Sequence, residues 1–99
     1  MSLTLFTLNR NCSSSLGACL DIMQPGDGLL LLEEAVYLLA NSGKPTLDTV
    51  QIPEKFRLCL LEEDLAARGL SARINPRYTV VNYPAFVGLC LEFGKVVNW

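Results

Sequence analysis

Four cysteines, Cys12, Cys19, Cys59 and Cys90, are the side chains of this sequence best suited to covalent chemistry. A thiol attacks or carries sulfur only as its thiolate, and a helix N-terminus or a nearby cation favours that form. Cys12 has both close by. Arg10 precedes it by two residues, and Ser13-Ser14-Ser15 follows as the start of a helix. Position therefore makes Cys12 the first candidate for a reactive thiol. Cys19 is the second. It falls on a stripe with Leu16, Leu20 and Met23 at helical spacing, where the plainer expectation is a small buried apolar side chain. Cys59 sits in the middle of a strand pattern and Cys90 in the middle of a helical one, and both are read as packing residues.

Spacing and composition exclude several other chemistries. No two cysteines form a C-x-x-C pair, and a zinc site would need all four from separate segments. The chain has no histidine, so Ser–His and Cys–His dyads are ruled out. No glycine-rich phosphate loop follows the first strand, where Asn9-Arg10-Asn11-Cys12-Ser13 stands instead. No cofactor and no metal is implied. The remaining ionisable candidates are Glu33, Glu34, Glu62, Glu63 and Asp64. They fall at two strand ends and would suit an acid–base pair or a cation. Acids in the first turn of a helix also complement its dipole, and that is the reading preferred here.

The elements that must position these residues alternate. Residues 3–8 and 29–32 read as strands, the second continuously apolar as in a sheet buried on both faces. Residues 56–61 and 78–82 read as a third and fourth strand, and residues 96–99 as a short fifth. A serine-capped helix lies between the first two strands, ended by Pro25-Gly26-Asp27-Gly28. Short helices are expected at residues 34–40 and 63–68, the latter closed by Gly69. Another opens at Pro84 and presents Phe86, Val87, Cys90, Leu91 and Phe93 as a broad apolar face. Residues 41–45 read as a loop, and residues 46–53 carry no clear pattern. Repeated strand–helix units predict a single α/β domain over residues 1–99. Its mostly parallel sheet of about five strands is covered on both sides, a three-layer α/β/α arrangement. In such sheets ligands meet the loops at the carboxyl ends of the strands.

The chain is 51% apolar and only 18% charged, against about 45–50% and about 25% in ordinary domains. A small globule has limited interior, so the surplus predicts a subunit interface, and self-association of the isolated chain. Net charge is −2 with no basic block, which argues against direct nucleic-acid binding. The first residues lack the pattern of a signal peptide, and no apolar run approaches a membrane span. The expectation is a cytoplasmic protein with free thiols and no membrane association.

Three ordered stretches carry a resemblance to a known family. They are Asp64-Leu65-Ala66-Ala67-Arg68-Gly69-Leu70, then Val81-Asn82-Tyr83-Pro84-Ala85-Phe86-Val87-Gly88-Leu89, and Leu29-Leu30-Leu31-Leu32-Glu33-Glu34-Ala35-Val36. With Trp99 as the last residue, they resemble the TusB/DsrH family, small subunits of DsrE/F/H-like sulfur-relay complexes. The resemblance implies a five-stranded parallel sheet and a heterohexamer with TusC/DsrF-like and TusD/DsrE-like subunits. It implies a part, mainly in assembly, in passing persulfide sulfur between upstream and downstream carriers toward 2-thiolation of wobble uridine in tRNA. In a second branch the related complex serves sulfur oxidation, and there Cys19 falls where DsrH-type members carry a cysteine, which makes Cys19 the candidate sulfur-carrying thiol and Cys12 the weaker one. Cys12 is not a family position, and Asn82 stands where aspartate is frequent.

Overall fold

A computed structural model of the chain describes residues 3–10, 12–38, 55–70 and 78–99. Five strands run in the order β4-β3-β2-β1-β5, and every neighbouring pair is parallel. They are β1 (Thr4–Leu8), β2 (Gly28–Leu31), β3 (Arg57–Leu61), β4 (Thr79–Val81) and β5 (Lys95–Asn98). Among the described residues three α-helices connect or flank them: α1 (Ser13–Ile22), α2 (Glu62–Ala67) and α3 (Tyr83–Glu92). The first four strands step across the sheet in sequence. The chain then returns through α3 over the whole width to place β5 beside β1.

The leucine-rich strands are buried on both faces because helices lie on both. On one face Phe6, Leu8, Leu29, Leu31, Leu58 and Leu60 pack against Leu16 and Cys19 of α1, Met23 just after it and Leu65 of α2. On the other, Leu5, Leu30, Cys59 and Leu61 meet Leu89 of α3 and Phe93 just after it. Side chains alternate along a strand, so each central strand supplies both cores. The α/β class and the parallel five-stranded sheet predicted from the sequence are those observed.

Several boundaries differ from expectation by a residue. β2 begins at Gly28, and Leu32 follows it while still donating its N–H to the carbonyl of Leu8 at 3.0 Å. The expected helix over residues 34–40 is a 3₁₀-helix, Glu33–Leu38. Its tail, the loop at residues 41–45 and the patternless stretch at residues 46–53 lie outside the described residues. The inward face of α3 is Phe86, Leu89, Cys90 and Phe93, not the expected set, and Val87 and Leu91 turn outward, 58% and 83% exposed. Apolar residues ring that helix, so its sequence does not select which stripe faces the sheet.

At the amino ends of the strands one carboxylate organises the chain. Asp27 is buried; its Oδ1 accepts the Thr4 N–H at 2.9 Å and its Oδ2 the Gln24 N–H at 2.8 Å. It thereby ties the turn after α1 to the start of β1. Beside it, Gly28 gives up its side chain to Phe93. A Cβ there would stand 2.7 Å from the tip of the Phe93 ring and 3.1 Å from Leu5. Gly28→Ala should therefore overpack this core and cost about 1–3 kcal/mol. Urea unfolding measures it; an unchanged midpoint would show that Phe93 yields freely.

Candidate functional site

Where β1 ends, Asn9 and Arg10 emerge exposed, and the chain turns into α1. The Cys12 N–H donates to the Arg10 carbonyl at 2.9 Å, and the Cys12 carbonyl accepts the Leu16 N–H at 3.1 Å, the first bond of the helix. Cys12 is thus the N-cap residue of α1. The serines, expected to cap it, lie inside it, and no side-chain cap bond closes this end. The reason is geometric: extended backbone at Cys12 (φ −136°, ψ 106°) starts the helix one residue earlier than the serine run suggests.

The thiol of Cys12 gains from this placement. It is partly exposed, with its Sγ 3.3 Å from the Ser14 hydroxyl oxygen. The Ser14 hydroxyl, then the Ser15 hydroxyl and backbone, hold it at about 7, below the ordinary thiol value. More of Cys12 is therefore thiolate at neutral pH than of an ordinary thiol, and thiolate is the form that attacks electrophilic sulfur.

Cys19 has the opposite environment. It is 0% exposed in the core between α1 and the sheet. Burial, then the negative field of Asp27, pushes its thiol up to about 11. Cys59 is buried under α3 and its thiol is likewise raised by burial. Cys90 is half-buried against the same core. The structure does not bring the thiols together in one site: Cys12 and Cys19 are separated by the turns of α1, and Cys59 and Cys90 belong to the other face.

The strand-end acids are engaged with the fold. Glu62, Glu63 and Asp64 form the first turn of α2, and Glu33 and Glu34 that of the 3₁₀-helix. Asp64 accepts the Glu33 N–H at 2.7 Å. This holds Glu33 in a left-handed conformation, φ 52°, which a non-glycine residue adopts at some cost. Arg68 reaches both Asp64 and Glu34 at 3.3 Å. Glu63 accepts the Tyr83 N–H at 3.2 Å, and Asn82 caps α3 by accepting the Ala85 N–H at 2.9 Å. Asp64 and Arg68, the polar residues of the first family-like stretch, thus lock the end of β2 to α2. Among the described residues no three metal-ligating side chains converge.

Beside the start of α1 lies a cleft of about 470 Å3 at the carboxyl ends of β1 and β5. Asn9, Arg10, Ser15, Asn98 and Trp99 line it. Trp99 is fixed there by three contacts. Its backbone N–H donates to the Thr7 carbonyl at 2.7 Å, and its indole N–H to the Ser15 carbonyl at 2.8 Å. Its ring meets Phe6 edge-on at 6.2 Å. The sequence pointed to Asn9 and Arg10 as strand-end residues but not to Asn98, Trp99 or Ser15. Their part depends on β5 pairing with β1, which no local pattern announces.

These features define a class: a five-stranded parallel α/β domain with no assembled catalytic dyad among the described residues. The same fold occurs in the crystal structure of the ychN protein from E. coli. The two superpose with a TM-score of 0.79 over 100% of both chains at 15% sequence identity. Within this class the chain belongs to the DsrH-like family, whose model matches residues 11–96. Its relatives include Protein TusB of Erwinia tasmaniensis, 36% identical over 96 residues, which is 97% of each chain. Protein TusB of Sodalis glossinidius is 35% identical over 96% of this chain and 99% of its own.

Two measurements test this site. Iodoacetamide should label Cys12 first at neutral pH, with a rate that rises through about pH 7 and levels off above it. Ser14→Ala should move that midpoint upward toward an ordinary thiol, while Cys19 stays unlabelled until the protein unfolds. Equal labelling of Cys12 and Cys19 would contradict both environments. Separately, Asp64→Ala removes the acceptor for Glu33 and Arg68. It should cost about 1 kcal/mol, or about 4–8 °C in Tm for a domain of this size. An unchanged Tm would mean the lock contributes nothing.

Proposed function

We propose that the chain is an assembly subunit of a cytoplasmic sulfur relay serving 2-thiolation of wobble uridine in tRNA. In this proposal it stands in a heterohexamer with TusC/DsrF-like and TusD/DsrE-like subunits, which take persulfide sulfur from one carrier and hand it to another. The observation that carries the proposal is the DsrH-like match across residues 11–96, joined by near-full-length similarity to proteins named TusB.

The geometry supports the assembly part. Tyr83, Val87 and Leu91 stand four residues apart on the outer side of α3, all exposed. Neighbours four apart share a helix face, so they form one apolar stripe, with the exposed Gly88 three residues before Leu91. Apolar surface on a helix in a domain this small suits burial against another subunit. The surplus of apolar residues in the composition agrees with that use.

A second reading has one specific observation behind it, the exposed low-pKa thiol of Cys12. In that reading the Cys12 thiolate attacks the outer sulfur of a donor persulfide. It becomes a persulfide itself, and the donor departs as a thiolate. Cys19, at the family position, would carry sulfur only if α1 moved away from the sheet, since its thiol lies in the core.

The deciding measurement is the 2-thiouridine content of bulk tRNA from a strain lacking this chain. Thiolation should collapse, return with the wild-type gene, and return also with a folded variant whose four cysteines are replaced. Thiolation that survives the deletion would overturn the tRNA proposal. Rescue by wild type but not by a cysteine-free chain that still assembles would replace the assembly role with the carrier role. One added sulfur on the Cys12 or the Cys19 peptide would then say which thiol carries it.

A further inference from the structure

The cleft at the ends of β1 and β5 has no task in the relay proposal. Its volume, about 470 Å3, lies within the range of small-molecule sites. Its polar lining offers several hydrogen-bond donors. Arg10 is exposed and has no acidic partner among the described residues, whereas Arg57 pairs with Glu92 and Arg68 with Asp64 and Glu34. The Asn98 Oδ1 accepts the Thr7 hydroxyl at 2.6 Å, so its amide nitrogen is the group left to meet a ligand. Asn9 and Ser15 add an amide and a hydroxyl.

No described acidic side chain lines the cleft, and the first turn of α1 holds none. Of the acids at the neighbouring strand ends, three are engaged elsewhere. Glu34 and Asp64 face Arg68, and Glu63 serves the Tyr83 N–H. In a chain of net charge −2, this is a local concentration of donors with no acidic side chain among the lining residues. The rest of the wall is apolar, formed by Leu8, Leu32 and the anchored Trp99.

We propose that this cleft binds a small organic oxyanion, with a carboxylate or phosphate held by Arg10 and the Asn98 amide and an apolar body against Trp99. The planar guanidinium fork matches either group. Such a group comes from a free small molecule or from the terminal carboxylate of another protein chain.

Trp99 is the only tryptophan, so its fluorescence reports the site directly. The full chain is titrated with phenyl phosphate, with 3-phenylpropionate and with a short peptide acid ending in phenylalanine. Each is run beside its uncharged counterpart: phenol, 3-phenylpropionamide and the peptide amide. At least one anion should give a saturable change, its neutral counterpart binding about ten- to a hundredfold more weakly. Arg10→Gln should abolish that preference and leave Tm unchanged, because Arg10 holds no acidic partner among the described residues. Tighter binding of the peptide acid assigns the site to a protein terminus, and tighter binding of the small acids to a free molecule. Neutral compounds binding equally well, an Arg10→Gln chain of unaltered affinity, or no saturation by any anion would each overturn the proposal. The titration uses the isolated chain, so its outcome is separate from that of the tRNA measurement.

Discussion

Burial of β2 and β3 on both faces is the constraint on which the rest of this molecule depends. A strand with leucine on both sides must be covered on both sides, or its apolar surface stays in water at about 25 cal/mol per Å2. Here α1, α2 and the 3₁₀-helix cover one face, and α3 covers the other. One ten-residue helix serving a whole sheet face must present a broad apolar surface. Phe86, Leu89, Cys90 and Phe93 meet that need on the inner side. Tyr83, Val87 and Leu91 then leave the outer side apolar as well. The same helix thus closes the core and offers the surface on which an assembly role is argued.

The second organising feature is the use of polar residues at the carboxyl ends of the strands. In a catalytic α/β domain such residues converge on a substrate. In this one Glu34, Asp64 and Arg68 converge on each other, and Glu63 is occupied by the start of α3. What remains uncommitted lies at the other side of the sheet, around Arg10 and Cys12. The division is physical. The β2–β3 end is closed by ion pairs and a strained Glu33 backbone, while the β1–β5 end keeps a cation with no acidic partner among the described residues, a low-pKa thiol and an open cleft.

Much of the fold was legible in the residues because strands and helices here differ in local pattern. The continuous run at Leu29-Leu30-Leu31-Leu32 marked a strand buried on both faces, and Gly69, at φ 67°, marked the end of α2. The partial exposure of Cys12 followed from its place in a polar loop, and the burial of Cys19 from its place on the apolar stripe of α1. What was not legible depended on contacts distant in sequence. The polar Ser13-Ser14-Ser15 run looked like a set of caps, but the Cys12 carbonyl opens the helix. Val87 and Leu91 looked like core because nothing local distinguishes the two apolar sides of α3. The cleft was invisible because its walls are ninety residues apart in the chain, joined only when Asn98 meets Thr7.

That last pairing sets an order of events during synthesis. β1 is made first, and its partner on the outer side, β5, is made last. At about 5–20 residues per second, β1 waits roughly 5–20 seconds with one edge bare. An apolar strand with unpaired amides and carbonyls is a template for any extended segment nearby, including the same strand of another nascent chain. When Lys95–Asn98 arrives, it fills that edge and exchanges it for one bearing Lys95 and Asn98, whose charge and polarity discourage further addition. The fifth strand thus acts as the stopper of the sheet. A lesion in it would be felt first as aggregation of newly made protein.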